Sequence, residues 1–176
     1  MAGFTLMEML IAIAVLAILV TLAVPSFQQL IQNNRLSAQG NELVAAFQFA
    51  RSEALKRGVW AEICASNDGE TCSDDFADGW LVYCNPANTQ CDDQNPLRVW
   101  SQPGDDVSFT TGQSFARFLP SGCFDHDQNG TCSAPASDPD NETSLISVKI
   151  PECPNGSLRQ VWVSRTGRVA TARVDC

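Results

Sequence analysis

The chain has 176 residues and a formal charge of −9, enough length for one modest domain and an appendage. Residues 62–142 hold fifteen acids and two bases, whereas residues 149–176 hold five bases and two acids. Because the acidic middle repels nucleic acid, only the C-terminal stretch is a candidate for nucleic-acid contact.

The first predicted element is an apolar helix. Residues 6–24 are almost entirely apolar, and an α-helix needs about 20 apolar residues to cross a bilayer. A plain signal peptide or a plain anchor does not account for Glu8, because an unpaired carboxylate in a membrane segment costs about 2.5–3.5 kcal/mol. Glu8 is therefore expected to meet a cation when subunits pack side by side.

Residues 3–8 read Gly-Phe-Thr-Leu-Met-Glu and precede this apolar run. They resemble the processing signature of type IV pilins and type II secretion pseudopilins. The resemblance implies that prepilin peptidase cuts after Gly3, so that residues 1–3 are a leader, and methylates Phe4 as the mature N-terminus. It also implies that Glu8 pairs with the N-terminal amine of a neighbouring subunit. Residues 4–24 are then the transmembrane and filament-core helix.

The helical pattern continues through residues 25–57. Pro25 lacks an amide hydrogen and is expected to bend or locally open the helix, as the helix-kinking proline of many pilins does. Apolar side chains then recur at helical spacing, and this stripe is predicted to pack on a β-sheet. Gly58 ends the element, which gives one helix of about 50 residues. The stripe consists of Leu36, Leu43, Phe47, Ala50 and Ala54.

Residues 58–176 have the pattern of an antiparallel β domain, with short apolar or alternating runs separated by turn residues. Asn67-Asp68-Gly69 and Thr166-Gly167 are turn signals, and residues 125–143 are predicted to form a surface loop. The fold class is therefore α+β, with a long N-terminal helix packed on a β domain. The predicted strands are residues 59–65, 79–84, 97–101, 107–110, 115–119, 144–150, 159–164 and 168–174.

Eight cysteines in an exported chain indicate disulfides. The sequence has no Cys-x-x-Cys pair, and His126 is its only histidine, so a zinc site is not expected. Eight cysteines allow many pairings that sequence cannot choose between, and proximity favours local bridges that close loops. The favoured pairs are Cys64–Cys72, Cys84–Cys91, Cys123–Cys132 and Cys153–Cys176.

Residues 125–130 read Asp-His-Asp-Gln-Asn-Gly and match the first half of a calcium loop, with candidate ligands Asp125, Asp127 and Asn129. The twelfth position is Ala136 where an acid is required, so a turn closed by a disulfide is favoured over calcium. The sequence also lacks a Gly-x-Ser-x-Gly elbow and places its one histidine in a loop. Neither a cofactor nor an enzymatic activity is predicted.

Four further blocks resemble GspH/FimT-type pilins and pseudopilins. They are Ala-Arg-Ser-Glu-Ala-Leu-Lys-Arg-Gly-Val at residues 50–59, Ile63-Cys64, Gly-Trp-Leu-Val at residues 79–82, and Ser-Arg-Thr-Gly-Arg-Val at residues 164–169. The resemblance implies a minor pilin, FimU-like rather than FimT-like, that helps to prime a type IV pilus at its tip. A type II secretion pseudopilin is the structural alternative. The implied partners are prepilin peptidase, other minor pilins, the major pilin and the inner membrane of a Gram-negative bacterium. The β domain would lie in the periplasm and later on the pilus.

DNA uptake is a functional alternative of a different class. FimT-like pilins used in DNA uptake carry Gly-Arg-x-Arg, whereas residues 167–170 read Gly-Arg-Val-Ala. Arg165, Arg168 and Arg173 remain candidates for phosphate contact. On a continuous strand, Arg165 and Arg173 would share one face and Arg168 would point the other way. The altered motif and the acidic bulk of the chain make DNA a less favoured partner.

Overall fold

A computed structural model describes residues 5–84, 96–101, 103–104, 107–111, 115–133, 146–150 and 157–175. The predictions made for Gly3, Phe4, Cys91, Cys153 and Cys176 lie outside these residues. The chain divides into two compact units, the first ending at Arg35 and the second beginning at Leu36.

One helix, α1, extends over Leu6–Arg57 and has 52 residues, which confirms the predicted long helix. Pro25 lies inside it, and the helix continues on both sides of this proline. Gly58 ends the helix with φ +66°, and its amide donates to the carbonyl of Ala54 over 3.0 Å. This left-handed residue is the usual way to close a helix C-terminus.

The described part of the chain has nine strands in two antiparallel sheets. The five-stranded sheet has the order β3-β2-β1-β5-β6, and the four-stranded sheet has the order β4-β7-β8-β9. All eight predicted strands are present, although several begin or end one or two residues from the predicted positions. The strands are β1 Ala61–Ala65, β2 Gly79–Cys84, β3 Arg98–Ser101, β4 Ser108–Thr111, β5 Phe115–Phe118, β6 Phe124–Asp125, β7 Ile146–Lys149, β8 Ser157–Val163 and β9 Val169–Asp175.

The core of the second unit lies between α1 and the two sheets. The predicted apolar stripe of the helix is fully or almost fully buried, with Leu36 3% exposed and its four other members 0% exposed. The Phe47 ring packs edge-on against Phe118 of β5, with ring centroids 6.4 Å apart. From β7 and β8, Val148 and Val161 belong to the same core cluster. The apolar face of α1 and the apolar faces of the strands therefore pack into one core, as the sequence pattern predicts.

Two features of the β unit differ from the pattern read in the sequence. The predicted loop began at Asp125, but Phe124 and Asp125 form β6 and pair with Phe118 and Arg117 of β5. The reason is that Phe124 is fully buried against Phe118, with ring centroids 5.5 Å apart, which holds this segment against the sheet. In addition, β4 and β5 follow each other in sequence but belong to different sheets.

The disulfides that lie within the described residues agree with the proximity rule. Cys64 is bonded to Cys72, and Cys123 is bonded to Cys132, as predicted. Cys84 is also disulfide-bonded, and its predicted partner lies outside the described residues. Each of the two complete bridges closes a short loop next to a strand of the five-stranded sheet.

Candidate functional site

The start of α1 is fixed by a side chain of the predicted processing motif. The Glu8 amide donates to the Oγ1 atom of Thr5 over 3.3 Å. Thr5 and Glu8 are three residues apart, which is the spacing between an N-cap threonine and a glutamate at the third helical position. The motif thus also marks the start of the helix, a role that was not predicted from the sequence. Its effect is to place the Glu8 carboxylate in the first turn of α1.

Every residue of α1 from Leu6 to Ile31 is exposed. Within the part of the chain that the structure describes, α1 is the helix that is long and apolar enough to cross a membrane. Exposed apolar side chains over this length require lipid or apolar partner helices, because water is a poor solvent for them. Glu8 is the one acidic residue in this stretch.

Pro25 leaves the carbonyl of Thr21 without its usual backbone donor four residues later. The Thr21 hydroxyl donates to the Ile18 carbonyl over 2.7 Å, a bond within the same stretch of helix. The helix continues despite the proline. The role of Pro25 in assembly stays a prediction.

In the second unit, one arginine joins two of the sequence blocks that carry the GspH/FimT resemblance. Arg51 Nε donates to the carbonyl of Gly122 over 2.8 Å, and Arg51 Nη2 donates to the carbonyl of Thr166 over 3.1 Å. Gly122 follows β5 of one sheet, and Thr166 lies in the turn between β8 and β9 of the other. The guanidinium therefore holds α1 to a turn from each sheet.

The two turns also touch each other. The Phe124 amide donates to the Arg165 carbonyl over 3.2 Å. A Cβ atom added at Gly167, which has φ +77°, would lie 2.1 Å from the Gly122 carbonyl oxygen and 2.9 Å from Arg51 Nε. Glycine is therefore required at position 167 for both conformation and space. The sequence showed this glycine as a turn signal, but not its contact with Arg51.

Glu53, in the same helical block, is only 9% exposed. It accepts from Arg57 Nε over 2.8 Å and from Lys56 Nζ over 3.2 Å. The hydrogen bond from Arg57 is the main cause that lowers the pKa of the Glu53 carboxyl; burial opposes it, and Lys56 adds to the lowering. Both partners of Glu53 thus lie in the last turn of α1.

The three candidate DNA-contact arginines do not form one cluster on a continuous strand. Arg165 and Arg168 are exposed beside the β8–β9 turn, and the Arg168 amide donates to the Ser164 hydroxyl over 3.1 Å. Because β9 begins only at Val169, the face assignment made for a continuous strand does not apply to them. Arg173 lies further along β9, directly opposite Arg159 of β8.

The Asp125–Gly130 segment is a turn built around the Asp125 carboxylate. Asp125 is 1% exposed, and its two oxygens accept from the amides of Asn129 and Gly130 over 3.2 and 3.0 Å. The Asn129 side-chain oxygen accepts from the Thr131 amide over 2.9 Å, whereas Asp127 is exposed. Across the described residues, no group of three or more His, Cys, Asp or Glu side chains is placed to hold a metal ion. The oxygens of Asp125 and Asn129 thus close the loop.

Comparison with known families gives two matches. Residues 39–167 match the family described as type II transport protein GspH, and residues 1–24 match the prokaryotic N-terminal methylation motif. A search of curated proteins finds no match. The GspH match covers more than two thirds of the chain.

Two solved structures have a similar fold. The type IV minor pilin FimU of Pseudomonas aeruginosa strain PAO1 is 21% identical, with a TM-score of 0.52 over 80% of this chain and 90% of FimU. The minor pseudopilin EpsH of the type 2 secretion system of Vibrio cholerae is 8% identical, with a TM-score of 0.50 over 78% of this chain and 96% of EpsH. At these identities the likeness shows the fold alone.

The capped apolar helix, the methylation motif and the helix-on-sheet unit define a pilin-like subunit, a minor pilin or pseudopilin of a type IV pilus or a type II secretion system. The chain belongs to the GspH family. Members of this family are structural subunits that assemble with other pilins, and this one is membrane-anchored through its N-terminal helix.

Proposed function

We propose that this chain is a FimU-like minor pilin that helps to prime the assembly of a type IV pilus and lies at or near its tip. The observation that carries the proposal is the Glu8 carboxylate in the first turn of an exposed apolar helix. In a filament core of such helices, a lone carboxylate is stable only beside a cation. The N-terminal amine of a neighbouring subunit, cut after Gly3 and methylated on Phe4, would supply that cation.

The two units have separate roles in this proposal. The first unit anchors the precursor in the inner membrane of a Gram-negative bacterium and then packs in the filament, where Ala12, Ala14, Ala17 and Ala23 permit close helix approach. Prepilin peptidase acts on its leader. The second unit, in the periplasm and later outside the cell, contacts other minor pilins and the major pilin. Its disulfides suit a surface that works outside the cell.

The test replaces Glu8 by alanine in the full chain, with Glu42→Ala as the matched control, because Glu42 is an exposed acid on the same helix. Glu8→Ala is expected to reach the membrane and form its disulfides, yet to be lost from sheared filaments. Glu42→Ala is expected to be incorporated normally. Full incorporation of Glu8→Ala would refute the pairing on which the proposal rests.

A type II secretion pseudopilin is the second candidate, supported by the GspH family match and the EpsH fold. Deleting the gene separates the two systems. Loss of surface pili with normal export of secreted enzymes would support the pilus, and the reverse result would support secretion. We favour the pilus because the minor pilin FimU is more similar to this chain than the pseudopilin EpsH is, at 21% against 8% identity.

DNA capture is expected to be weak. Arg165 and Arg168 lie beside one turn, Arg173 lies elsewhere on β9, and the chain carries a charge of −9. A gel shift with duplex DNA at low and moderate salt, with and without alanines at the three arginines, tests this expectation. Salt-sensitive binding that the triple variant loses would instead assign the protein to DNA uptake.

A further inference from the structure

Arg159 of β8 and Arg173 of β9 lie directly opposite each other in the four-stranded sheet. The Ser164 amide donates to the Arg168 carbonyl over 2.9 Å, so these two residues are the hydrogen-bonded pair nearest the β8–β9 turn. Hydrogen-bonded and non-hydrogen-bonded pairs alternate along antiparallel strands, so Arg159 and Arg173 form a non-hydrogen-bonded pair. Opposite Cα atoms in such a pair are about 4.5 Å apart, which brings their side chains close together. The fold therefore holds two positive charges side by side on one face of the sheet.

No acid in the described part of the chain neutralises this pair. Arg159 is partly buried, and its Nη2 donates to the neutral Ser37 hydroxyl of α1 over 3.0 Å. Arg173 is exposed, and neither arginine forms an ion pair with a residue that the structure describes. Asp175, two residues further along the same face of β9, forms none either. Like charges directly opposite each other destabilise a sheet, so the pair is favourable only with an anion beside it.

The arginine pair lies at an edge of its sheet. In the described part of the chain β9 is the last strand of this sheet, and all of its seven residues pair with β8. The other edge strands, β3, β4 and β6, have only four, four and two residues. The same alternation of pairs directs the amides and carbonyls of Val169, Thr171 and Arg173 away from β8. A long, regular edge with outward peptide groups is a template for one more strand.

The charge around this edge favours an acidic partner. Residues 146–150 and 157–175 hold five bases and one acid, within a chain whose charge is −9. A carboxylate accepts two parallel hydrogen bonds from one guanidinium, which a neutral side chain does not. A phosphate group would also suit the guanidiniums. A row of outward peptide groups, however, pairs with an extended polypeptide and has no matching partners on a nucleic-acid backbone.

From this arrangement we propose that β9 pairs with an extended segment of a partner protein, and that an aspartate or glutamate of this segment binds Arg159 and Arg173. The backbone of the segment bonds to the edge of β9, and its carboxylate neutralises the arginine pair. Side chains alternate along a strand, so every second residue of the segment faces the arginines. That the partner is another pilin rests on the proposed function, whereas the binding of an acidic strand does not.

The test uses the ¹⁵N-labelled full chain in detergent micelles. The probe is a blocked heptapeptide in which threonine and glutamate alternate, and the control peptide has glutamine in place of glutamate. The acidic peptide is expected to bind with a dissociation constant of about 1 mM or tighter, and the control more weakly. Hydrogen exchange of the Thr171 and Arg173 amides is expected to slow on binding. The Ala170 and Ala172 amides face β8 and are expected to change little.

Arg173→Gln is expected to weaken binding of the acidic peptide about two- to fivefold, the range of one exposed ion pair. Arg168→Gln removes the same charge from an exposed arginine outside the pair and is expected to leave binding unchanged. Because Arg173→Gln also removes a like-charge contact, its unfolding midpoint is expected to equal or exceed that of the parent. A lower midpoint would mean that Arg173 serves the stability of the sheet, which contradicts the proposal.

Equal binding of the two peptides, or no binding of either, would overturn the proposal. Binding that leaves exchange at Thr171 and Arg173 unchanged would also overturn it, because the edge would then not be paired. An equal loss in the two variants would assign the effect to general basic charge, which contradicts a specific site. Binding of duplex DNA through Arg173 without binding of the peptide would assign this surface to nucleic acid instead. Since the titration uses isolated chains, its result is separate from that of the Glu8 experiment.

Discussion

Arg51 Nε donates a hydrogen bond to the carbonyl oxygen of Gly122, 71 residues further along the chain, over 2.8 Å. The same guanidinium reaches the Thr166 carbonyl over 3.1 Å. These bonds connect two separate sequence blocks of this chain that resemble GspH/FimT-type pilins. The block on the helix supplies Arg51. The other block supplies the turn whose Thr166 carbonyl accepts from Arg51 and whose Gly167 leaves room for it.

Replacing Arg51 by lysine is expected to lower the free energy of unfolding by about 1–3 kcal/mol. Lysine keeps the charge but has a single donor group, so it cannot bond both carbonyls in the same geometry and leaves one part-buried acceptor unpaired. Thermal unfolding of the full chain in detergent micelles, followed by near-ultraviolet circular dichroism, measures the loss. The exposed Arg168→Lys is the control, expected within about 0.5 kcal/mol of the parent. Equal stability of the two variants would contradict the bridging role.

Gly167→Ala is expected to destabilise the second unit more than alanine at another left-handed glycine. Its Cβ would lie 2.1 Å from the Gly122 carbonyl oxygen, so the strain of positive φ adds to a clash that displaces a turn. Gly58 has φ +66° with nothing within 4 Å, and Gly104 is open without positive φ. Gly58→Ala is therefore expected to cost about 1–2 kcal/mol and Gly104→Ala almost nothing.

The ranking of the three glycine variants by unfolding midpoint is the measurement. If Gly167→Ala matched Gly58→Ala, backbone conformation alone would matter at the turn, and the contact between the two turns would carry no energy. If Gly104→Ala were as damaging as either, the open space around that residue would be misjudged.

Period and spacing were sufficient to predict the long helix, its buried stripe, eight strands and two disulfides, because these depend on neighbours in sequence. They were insufficient for the contacts that organise the unit. In the sequence, Arg51 is one basic residue in a helical block, and no neighbouring residue indicates that its acceptor lies 71 residues away. Asp125 read as a possible calcium ligand because alternating oxygens resemble such a loop, whereas its burial depends on the pairing of β6 with β5.

The Glu53 carboxyl makes stability depend on acid pH. Its pKa is lowered from the ordinary 4.5, mainly by the hydrogen bond from Arg57. A carboxyl with a lowered folded-state pKa contributes stability that is present above the unfolded-state value and is lost as the pH falls through the folded-state value. Unfolding midpoints measured from neutral pH to below 4 are expected to fall less steeply for Glu53→Gln than for the parent. Parallel curves would show that other carboxyls account for the acid sensitivity.

Tyr83 provides a matching prediction at alkaline pH. Burial is the first cause that raises the pKa of its phenol well above the ordinary 10.0, and the hydrogen bond to Glu62 adds to it. A group with a raised folded-state pKa contributes stability that is fully present below the unfolded-state value and is lost as the pH rises beyond it. Because the chain has one tyrosine, its ultraviolet absorbance follows this group alone.

In the folded chain, the phenolate spectrum is expected to stay absent above pH 10 and to develop only together with unfolding. In denaturant, the same chain is expected to titrate near the ordinary value of about 10. Tyr83→Phe removes the donor to Glu62 and is expected to flatten the alkaline loss of stability, even though its midpoint at neutral pH is lower. Ordinary titration in the folded chain would mean that the ring is solvated and that its hydrogen bond to Glu62 is not maintained.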